Sequence, residues 1–209
     1  MWSNIVFYSS LAFQSLIGVF GLRLYEEPRY DVIARLDDRV EIRRYAPRLA
    51  AEVEAAGGQA KTDEAFRLLF AYIAGANQAA EGGAKIAMTV PVEVRRSEKV
   101  AMTVPVQVSP SGETMRMLFY LPAELTAATA PKPADPRVRI ITVPGETIAT
   151  LRFSGSPDAA PARQADLLDS LKPSRWRSAG VPYMLSYDPP FTLPFLRRNE
   201  AAVVVASGP

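Results

Sequence analysis

The 209-residue chain contains no histidine and no cysteine. Without an imidazole or a thiol it cannot form a Ser-His-Asp or Cys-His nucleophile system, a zinc site with His and Cys ligands, or a disulfide framework. The absence of cysteine leaves the redox compartment open, because disulfide-free proteins occur on both sides of membranes.

An excess of charge of one sign is lacking as well. The 24 basic residues stand against 22 acidic residues, a formal net charge of +2. So small and scattered a surplus does not suit the phosphate backbone, and we expect no nucleic-acid partner. Hydrophobic residues make up 48% and charged residues 22% of the chain, proportions typical of a globular protein. The length favours one domain with an appendage.

The first 22 residues contain no charged side chain. Their length suits a membrane helix. Polar residues share a narrow sector of the helical wheel, which also suits a helix on a membrane surface or docked on a partner: Ser3, Ser10 and Gln14. A cleaved signal is a third alternative, although a basic n-region is missing. We expect an apolar N-terminal helix over residues 1–24, membrane-associated or docking, and one domain over residues 25–209. Membrane association is favoured, with a soluble cytoplasmic protein as the alternative.

Strand and helix patterns follow one another along the domain. VEIRRYAPRLAAEVE predicts strands around Val40 to Tyr45 and Leu49 to Glu54, joined at Ala46-Pro47 in a hairpin-like unit. KTDEAFRLLFAYIAGANQ predicts a helix with Thr62 or Asp63 as its cap and Gly75 near its end. Its apolar face contains Phe66, Leu69, Phe70 and Ile73.

A methionine-bearing octapeptide occurs almost unchanged twice, as KIAMTVPV from Lys85 and as KVAMTVPV from Lys99. Alternate apolar residues in both copies are typical of half-buried strands. We predict that the copies pair as an antiparallel hairpin, with a solvated tip at residues 95–98 and an odd number of loop residues. Pro91 and Pro105 should lie at a bulge, an edge or a non-bonded position.

The second half repeats the first in outline. VRIITVPGETIATLRFSG predicts two further strands, DAAPARQADLLDSL a second helix, and YMLSYDPP and EAAVVVA later strands. A strand-strand-helix-strand unit used twice predicts an α+β fold, a distorted antiparallel β-barrel with two helices packed on it.

The order of VEIRRYAP, EAFRLLFAYIAGAN, KIAMTVPV, LRFSG and YDPPFTLPFLRRNEAAVVV resembles the SOUL heme-binding protein family, over about residues 25–205. KIAMTVPV and the YDPP to RRNE run are specific when they occur together in this order. The resemblance implies a duplicated, barrel-like fold that binds heme or a related tetrapyrrole in a shallow apolar groove beside the first helix. Some members are described as ligating iron through histidine, which this chain cannot do. Others hold the porphyrin largely by apolar contacts, and only that mode remains.

A tetrapyrrole requires a flat apolar slot and cations for its carboxylates. The candidate cofactor-binding residues are Phe66, Arg67, Phe70 and Ile73 of the first helix, with Met88 and Met102 of the twin octapeptides. Arg67 is the candidate for a propionate. The alternative is that the apolar residues only form core and that Arg67 is solvated. Iron ligation by methionine, or by Tyr45, Tyr72 or Tyr120, is a minor alternative, and we expect no strong axial ligand.

No acid–base pair, phosphate loop or metal cage is evident, so we expect neither catalysis nor a metal site. The leading hypothesis is a non-covalent carrier or buffer for heme or another tetrapyrrole. The alternative is a protein-interaction or membrane-scaffold module in which residues 1–22 contact the membrane or a partner protein. A third is an enzyme that removes the metal from a tetrapyrrole, for which no base is identifiable. We interpret the RRNE run at residues 197–200 as charges that fix a turn by local hydrogen bonds.

Overall fold

The computed structural model describes residues 25–56, 59–78, 83–98, 113–188 and 192–208. The helices are α1, Gln59–Ile73, and α2, Ala160–Leu171. The strands are β1 Tyr30–Arg35, β2 Val40–Tyr45, β3 Arg48–Ala56, β4 Val92–Glu98, β5 Glu113–Tyr120, β6 Val138–Val143, β7 Glu146–Phe153, β8 Trp176–Ser178, β9 Tyr183–Ser186 and β10 Asn199–Ser207. The predicted N-terminal helix over residues 1–24 and the second octapeptide, with Met102, lie outside the described residues.

The strands form one antiparallel sheet in the order β1-β2-β7-β10-β9-β4-β5-β3-β6, and β8 pairs with β10. The sheet curls into a half-barrel and both helices pack on it, so the predicted α+β architecture is confirmed. In the part of the chain that the structure describes, neither helix combines the length and the hydrophobicity that crossing a membrane requires.

The two halves of the chain interleave within this sheet. From the central strands outward, the order reads β9-β10-β7-β2-β1 on one side and β4-β5-β3-β6 on the other. When the edge strand β1 is left aside, the first strand of each half pairs with the second strand of the other half, β2 with β7 and β6 with β3. The predicted hairpin between β2 and β3 is therefore wrong. The Ala46-Pro47 connection instead takes the chain across to the other half of the sheet, where Gly145 lies against the Tyr45 carbonyl.

Helix α1 packs on β3, β5 and β6, and α2 packs on β7, β8 and β10. The α1 side of the core contains Leu69, Tyr72, Ile73, Met115 and Phe119. The α2 side contains Leu167, Leu171, Ala149, Leu151 and Val203. Alternate residues of the same strands point to the other side of the sheet, where several charged side chains are buried: Arg43, Glu93 and Glu200.

The first octapeptide is not a regular strand. Residues 83–88 are irregular, Thr89 forms an isolated bridge with Glu26, and β4 begins only at Val92. Pro91 has no N–H to donate to a ladder, and the Thr89 hydroxyl donates to the Tyr120 carbonyl. The predicted hairpin register with residues 99–108 lies outside the described residues.

Two further expectations about local structure need correction. Helix α1 begins at Gln59, so Thr62 and Asp63 lie within its first turns and neither can be its N-cap. Residues 95–98 belong to β4, which pairs with β5, and they are not a hairpin tip. Gly75, with φ of 113°, does follow the end of α1 as predicted.

Candidate functional site

Two phenylalanines form a partly exposed aromatic surface on α1. Phe66 and Phe70 lie one helical turn apart, with ring centroids 6.2 Å apart and ring planes 12° from parallel. The Phe66 ring also meets Phe119 of β5 edge-on, at 5.3 Å between centroids and 68° between planes. The pair is therefore fixed on its inner side by the core and leaves apolar ring surface accessible on its outer side.

The segment after α1 runs along the end of that helix and places Met88. The Asn77 side chain accepts from the Ala84 amide at 2.9 Å and donates to the Ala84 carbonyl at 2.6 Å. The Ile86 amide donates to the Ile73 carbonyl at 2.9 Å. Met88 is partly buried and packs against the same core cluster as Phe66 and Phe70.

The structure thus brings four of the predicted site residues into one cluster: Phe66, Phe70, Ile73 and Met88. Ile73 is only 3% exposed, so it lies beneath the aromatic surface and would have to become accessible to touch a ligand. Arg67 is exposed on α1 between the two phenylalanines, and its guanidinium forms no ion pair within the described ranges. Met102 lies outside those ranges.

On the face of the sheet away from the helices, charged side chains are buried in pairs. Arg43 donates from Nη1 to Oε2 of Glu200 at 2.6 Å, and Glu200 is fully buried. The Tyr187 hydroxyl donates to the same carboxylate at 2.8 Å, and Arg198 donates from Nη2 at 2.8 Å. Burial raises the pKa of Glu200, but the two guanidinium groups outweigh it and hold that pKa below its usual range.

A second group of buried charges lies nearer the centre of the sheet. Glu93 accepts from the Tyr120 hydroxyl at 2.7 Å and from Arg95 Nε at 2.5 Å. The Arg95 guanidinium lies 4.0 Å from the centre of the Tyr183 ring. Burial, followed by the nearby Glu93 carboxylate, raises the pKa values of Tyr120 and Tyr183 well above 10. Both tyrosine hydroxyl groups are therefore neutral at neutral pH. A guanidinium lies over each ring, Arg48 over Tyr120 and Arg95 over Tyr183.

The sequence interpretation missed these two groups. The local interpretation of the RRNE run is incomplete, because Glu200 reaches Arg43 on a strand 157 residues earlier, although Arg197 does bond locally to the Thr192 carbonyl. The available signal was a charged residue next to apolar residues within a strand: Arg43 follows Ile42 in VEIRRY, and Glu200 precedes the apolar run AAVVVA. Such a charge can be buried only when it is paired.

A larger and a smaller cavity in the described part of the chain lie away from the α1 surface. The larger, about 610 Å³, is lined by residues of β1, β2, β7 and β10. The smaller, about 220 Å³, lies between the segment around Pro28 and the start of β3, beside Tyr120. Neither lining contains a predicted site residue. Over the residues that the structure describes, no cluster of acidic side chains is arranged to hold a metal ion.

A family model described as SOUL heme-binding protein matches residues 25–204. The chain belongs to the SOUL heme-binding protein family. Membership places it among proteins that bind heme or a related tetrapyrrole, a family of binding proteins rather than of enzymes. The comparison with curated proteins gives no match.

Solved structures share the fold of this SOUL-family chain. An uncharacterized conserved protein from Listeria innocua is 11% identical, with a TM-score of 0.59 over 80% of this chain and 92% of that one. The EcmrR C-terminal domain is 8% identical, with a TM-score of 0.59 over 81% and 98%. A hydrolase from Listeria innocua is 11% identical, with a TM-score of 0.57 over 80% and 92%. At such identities the likeness shows the fold and nothing further.

Proposed function

We propose that this SOUL-family protein binds heme or a related tetrapyrrole non-covalently against α1, without histidine ligation, and serves as a carrier or buffer. The observation that carries the proposal is the near-parallel pair Phe66 and Phe70, held against the core yet partly exposed. Two rings in nearly one orientation offer the kind of apolar surface that a flat macrocycle requires.

Contact with the ring surface provides the binding free energy in this account. Covering roughly 300 Å² of apolar surface at about 25 cal/mol per Å² gives a favourable free energy of about 7.5 kcal/mol. Loss of translational and rotational freedom offsets part of it. We therefore expect a dissociation constant of about 3 μM or weaker, so that the ligand can be released to an acceptor.

Arg67 supports the orientation of the ligand. It lies between Phe66 and Phe70 in sequence and is exposed, and its guanidinium has no acidic partner within the described residues. A guanidinium forms a planar, two-pronged bond with a carboxylate, so a propionate at the edge of the ring suits this position. Met88 extends the apolar surface at the end of α1.

Hemin titration of matched variants tests the proposal. Wild-type protein should give a saturable one-to-one spectral change. Phe70→Asp should weaken binding by about tenfold or more, because it puts a charge against the ring. Phe195→Asp makes the same substitution at a 71% exposed phenylalanine outside α1 and should leave the affinity unchanged.

Phe70→Leu guards against an unfolded variant, because it keeps an apolar contact with the core and should weaken binding less than Phe70→Asp does. Circular dichroism of each variant reports folding directly. Absence of a saturable change in wild-type protein, or equal loss in Phe70→Asp and Phe195→Asp, would overturn the proposal.

The carrier role has its own test. Hemin recovered after incubation should be chemically unchanged, and it should pass to an apo-protein with higher affinity for heme. A metal-free or opened ring in the recovered material would instead favour an enzyme acting on the tetrapyrrole.

A further inference from the structure

The larger cavity is a polar cleft on the face of the sheet opposite α2. It has a volume of about 610 Å³, within the range of small-molecule sites. Its lining consists of Tyr30, Asp38, Arg39, Glu41, Arg43, Arg152, Phe153, Ser154, Arg198 and Glu200. The cleft shares no residue with the proposed tetrapyrrole surface on α1.

At the floor of the cleft, the guanidinium groups and carboxylates are paired with one another. Arg43 donates to Glu41 at 2.9 Å and to Glu200 at 2.6 Å. Arg198 donates to Glu200 at 2.8 Å and to Glu27 at 3.0 Å. Because each floor carboxylate has a guanidinium partner, the floor is a rigid platform without a free acidic group.

The mouth of the cleft differs, because two arginines there form no ion pair with any residue that the structure describes. Strand β2 pairs with β7 so that Val40 faces Leu151, and one further step of this register places Arg39 opposite Arg152. Both side chains are exposed, and within the described ranges neither guanidinium forms an ion pair. Like charges directly opposite on neighbouring strands are unfavourable. Asp38 is the only carboxylate of the lining outside the floor pairs.

We propose that this cleft binds a small organic anion that carries two acidic groups, between Arg39 and Arg152. A carboxylate or phosphate group can accept two parallel hydrogen bonds from each guanidinium, and its charge removes the repulsion between them. Ser154 supplies a hydroxyl donor at the same mouth, and Tyr30 and Phe153 supply ring surface for the ligand's carbon frame. The chemistry fits a dicarboxylate or a phosphate ester.

Isothermal titration with two probes tests this site. Citrate represents the carboxylate source and pyrophosphate the phosphate source, each at constant ionic strength with chloride as the control anion. At least one probe should bind saturably to wild-type protein, and binding should weaken as salt is raised. The Arg39→Gln, Arg152→Gln double variant should weaken it by about tenfold or more. Arg163→Gln changes a partly exposed arginine of α2 that pairs with Asp166, and it should leave anion binding unchanged.

Weaker anion binding by the double variant would not reflect unfolding, because both arginines are exposed. Without anion, the double variant should unfold at no lower temperature than wild-type protein. Neither probe binding saturably, or equal weakening in Arg163→Gln, would overturn the proposal. Its failure is distinct from failure of the tetrapyrrole proposal, because hemin affinity should be unchanged in the double variant and anion affinity unchanged in Phe70→Asp. Loss of hemin binding in the double variant would reject a separate anion site.

Discussion

Arg48 and Glu146, the first residues of β3 and β7, form an ion pair with 2.5 Å between Nη2 and Oε1. Each residue begins the second strand of its half of the chain, directly after the connection that crosses the sheet. The side chains are 11% and 13% exposed, and the Arg48 guanidinium also lies 4.1 Å from the centre of the Tyr45 ring. The pair therefore joins the two interleaved halves at the point where their connections meet.

Removing the Glu146 charge should destabilise the whole domain. Glu146→Gln leaves the largely buried Arg48 guanidinium without its carboxylate partner and also removes a contact with Arg95, so we expect a loss of about 3 kcal/mol in the free energy of unfolding. Urea denaturation measures this loss. Asp169→Asn breaks an exposed pair with Lys172 and should change stability by less than about 0.5 kcal/mol. Equal effects would show that the Arg48 pair is not a structural link.

Alkaline pH should unfold the protein through its buried tyrosines. Burial raises the pKa of Tyr45 to about 12, above the ordinary value of 10. The unfolded chain therefore loses this proton at lower pH than the folded chain, and the contribution present below pH 10 is lost as pH rises to about 12, at about 1.4 kcal/mol per pH unit. Tyrosinate absorbance should rise together with loss of circular dichroism. Tyr45→Phe should make the decline shallower, whereas tyrosinate formation in still-folded protein would contradict the assignment.

Gly83 should be intolerant of a side chain. Its φ is +78°, and an added Cβ would lie 1.9 Å from the Gly75 carbonyl oxygen at the end of α1. Gly83→Ala must therefore displace backbone, and we expect a loss of about 2 kcal/mol in the free energy of unfolding. Gly180→Ala is the matched control, because an added Cβ there meets nothing within 4 Å. Thermal unfolding of both variants gives the comparison, and equal melting temperatures would contradict it.

Membrane or partner binding by residues 1–22, the leader, is a separate prediction. Residues 1–22 lack charge, and we expect them to recover the protein with membranes or a partner. Deleting them should release the protein into the soluble fraction while residues 25–209 keep their circular dichroism and hemin affinity. Unchanged fractionation would reject the leader as the targeting element.

The positions of individual elements were largely predictable from the sequence. The strand around Val40 to Tyr45 matches β2, and apolar spacing located both helices. Such elements follow from local periodicity, because the residues that define one face lie within a few positions of one another. For KIAMTVPV the same periodicity predicts a strand, and that prediction was wrong. The backbone there is irregular up to Pro91, and the Thr89 side chain bonds to the Tyr120 carbonyl.

Strand pairing could not be predicted in the same way. Strand β2 pairs with β7 as well as with β1, and β3 pairs with β6 as well as with β5, so each half of the chain supplies strands that pair with the other half. The residues of a strand do not specify which strand, about a hundred residues away, it pairs with. Strands that follow one another in sequence are usually neighbours, and the predicted hairpin rests on that rule. The ion pairs on the face of the sheet away from the helices, such as Arg43 with Glu200, could not be predicted for the same reason.

The candidate site was predicted in part. Helical spacing placed Phe66 and Phe70 on one face of α1, and the structure brings Met88 to the same cluster. Periodicity alone could not separate Ile73, which is in the core, from the partly exposed rings, because depth along a helix face depends on the strands beneath it. The polar cleft around Arg39 and Arg152 depends on pairing and had no sequence signal.

Binding of iron-free protoporphyrin, compared with hemin on the full-length protein, tests the central claim most directly. If apolar contact with α1 provides the affinity, the two dissociation constants should agree within about threefold, because the iron contributes no strong protein bond. Failure of the iron-free ring to bind, while hemin binds saturably, would show that a residue of this histidine-free chain ligates the iron and would contradict the account.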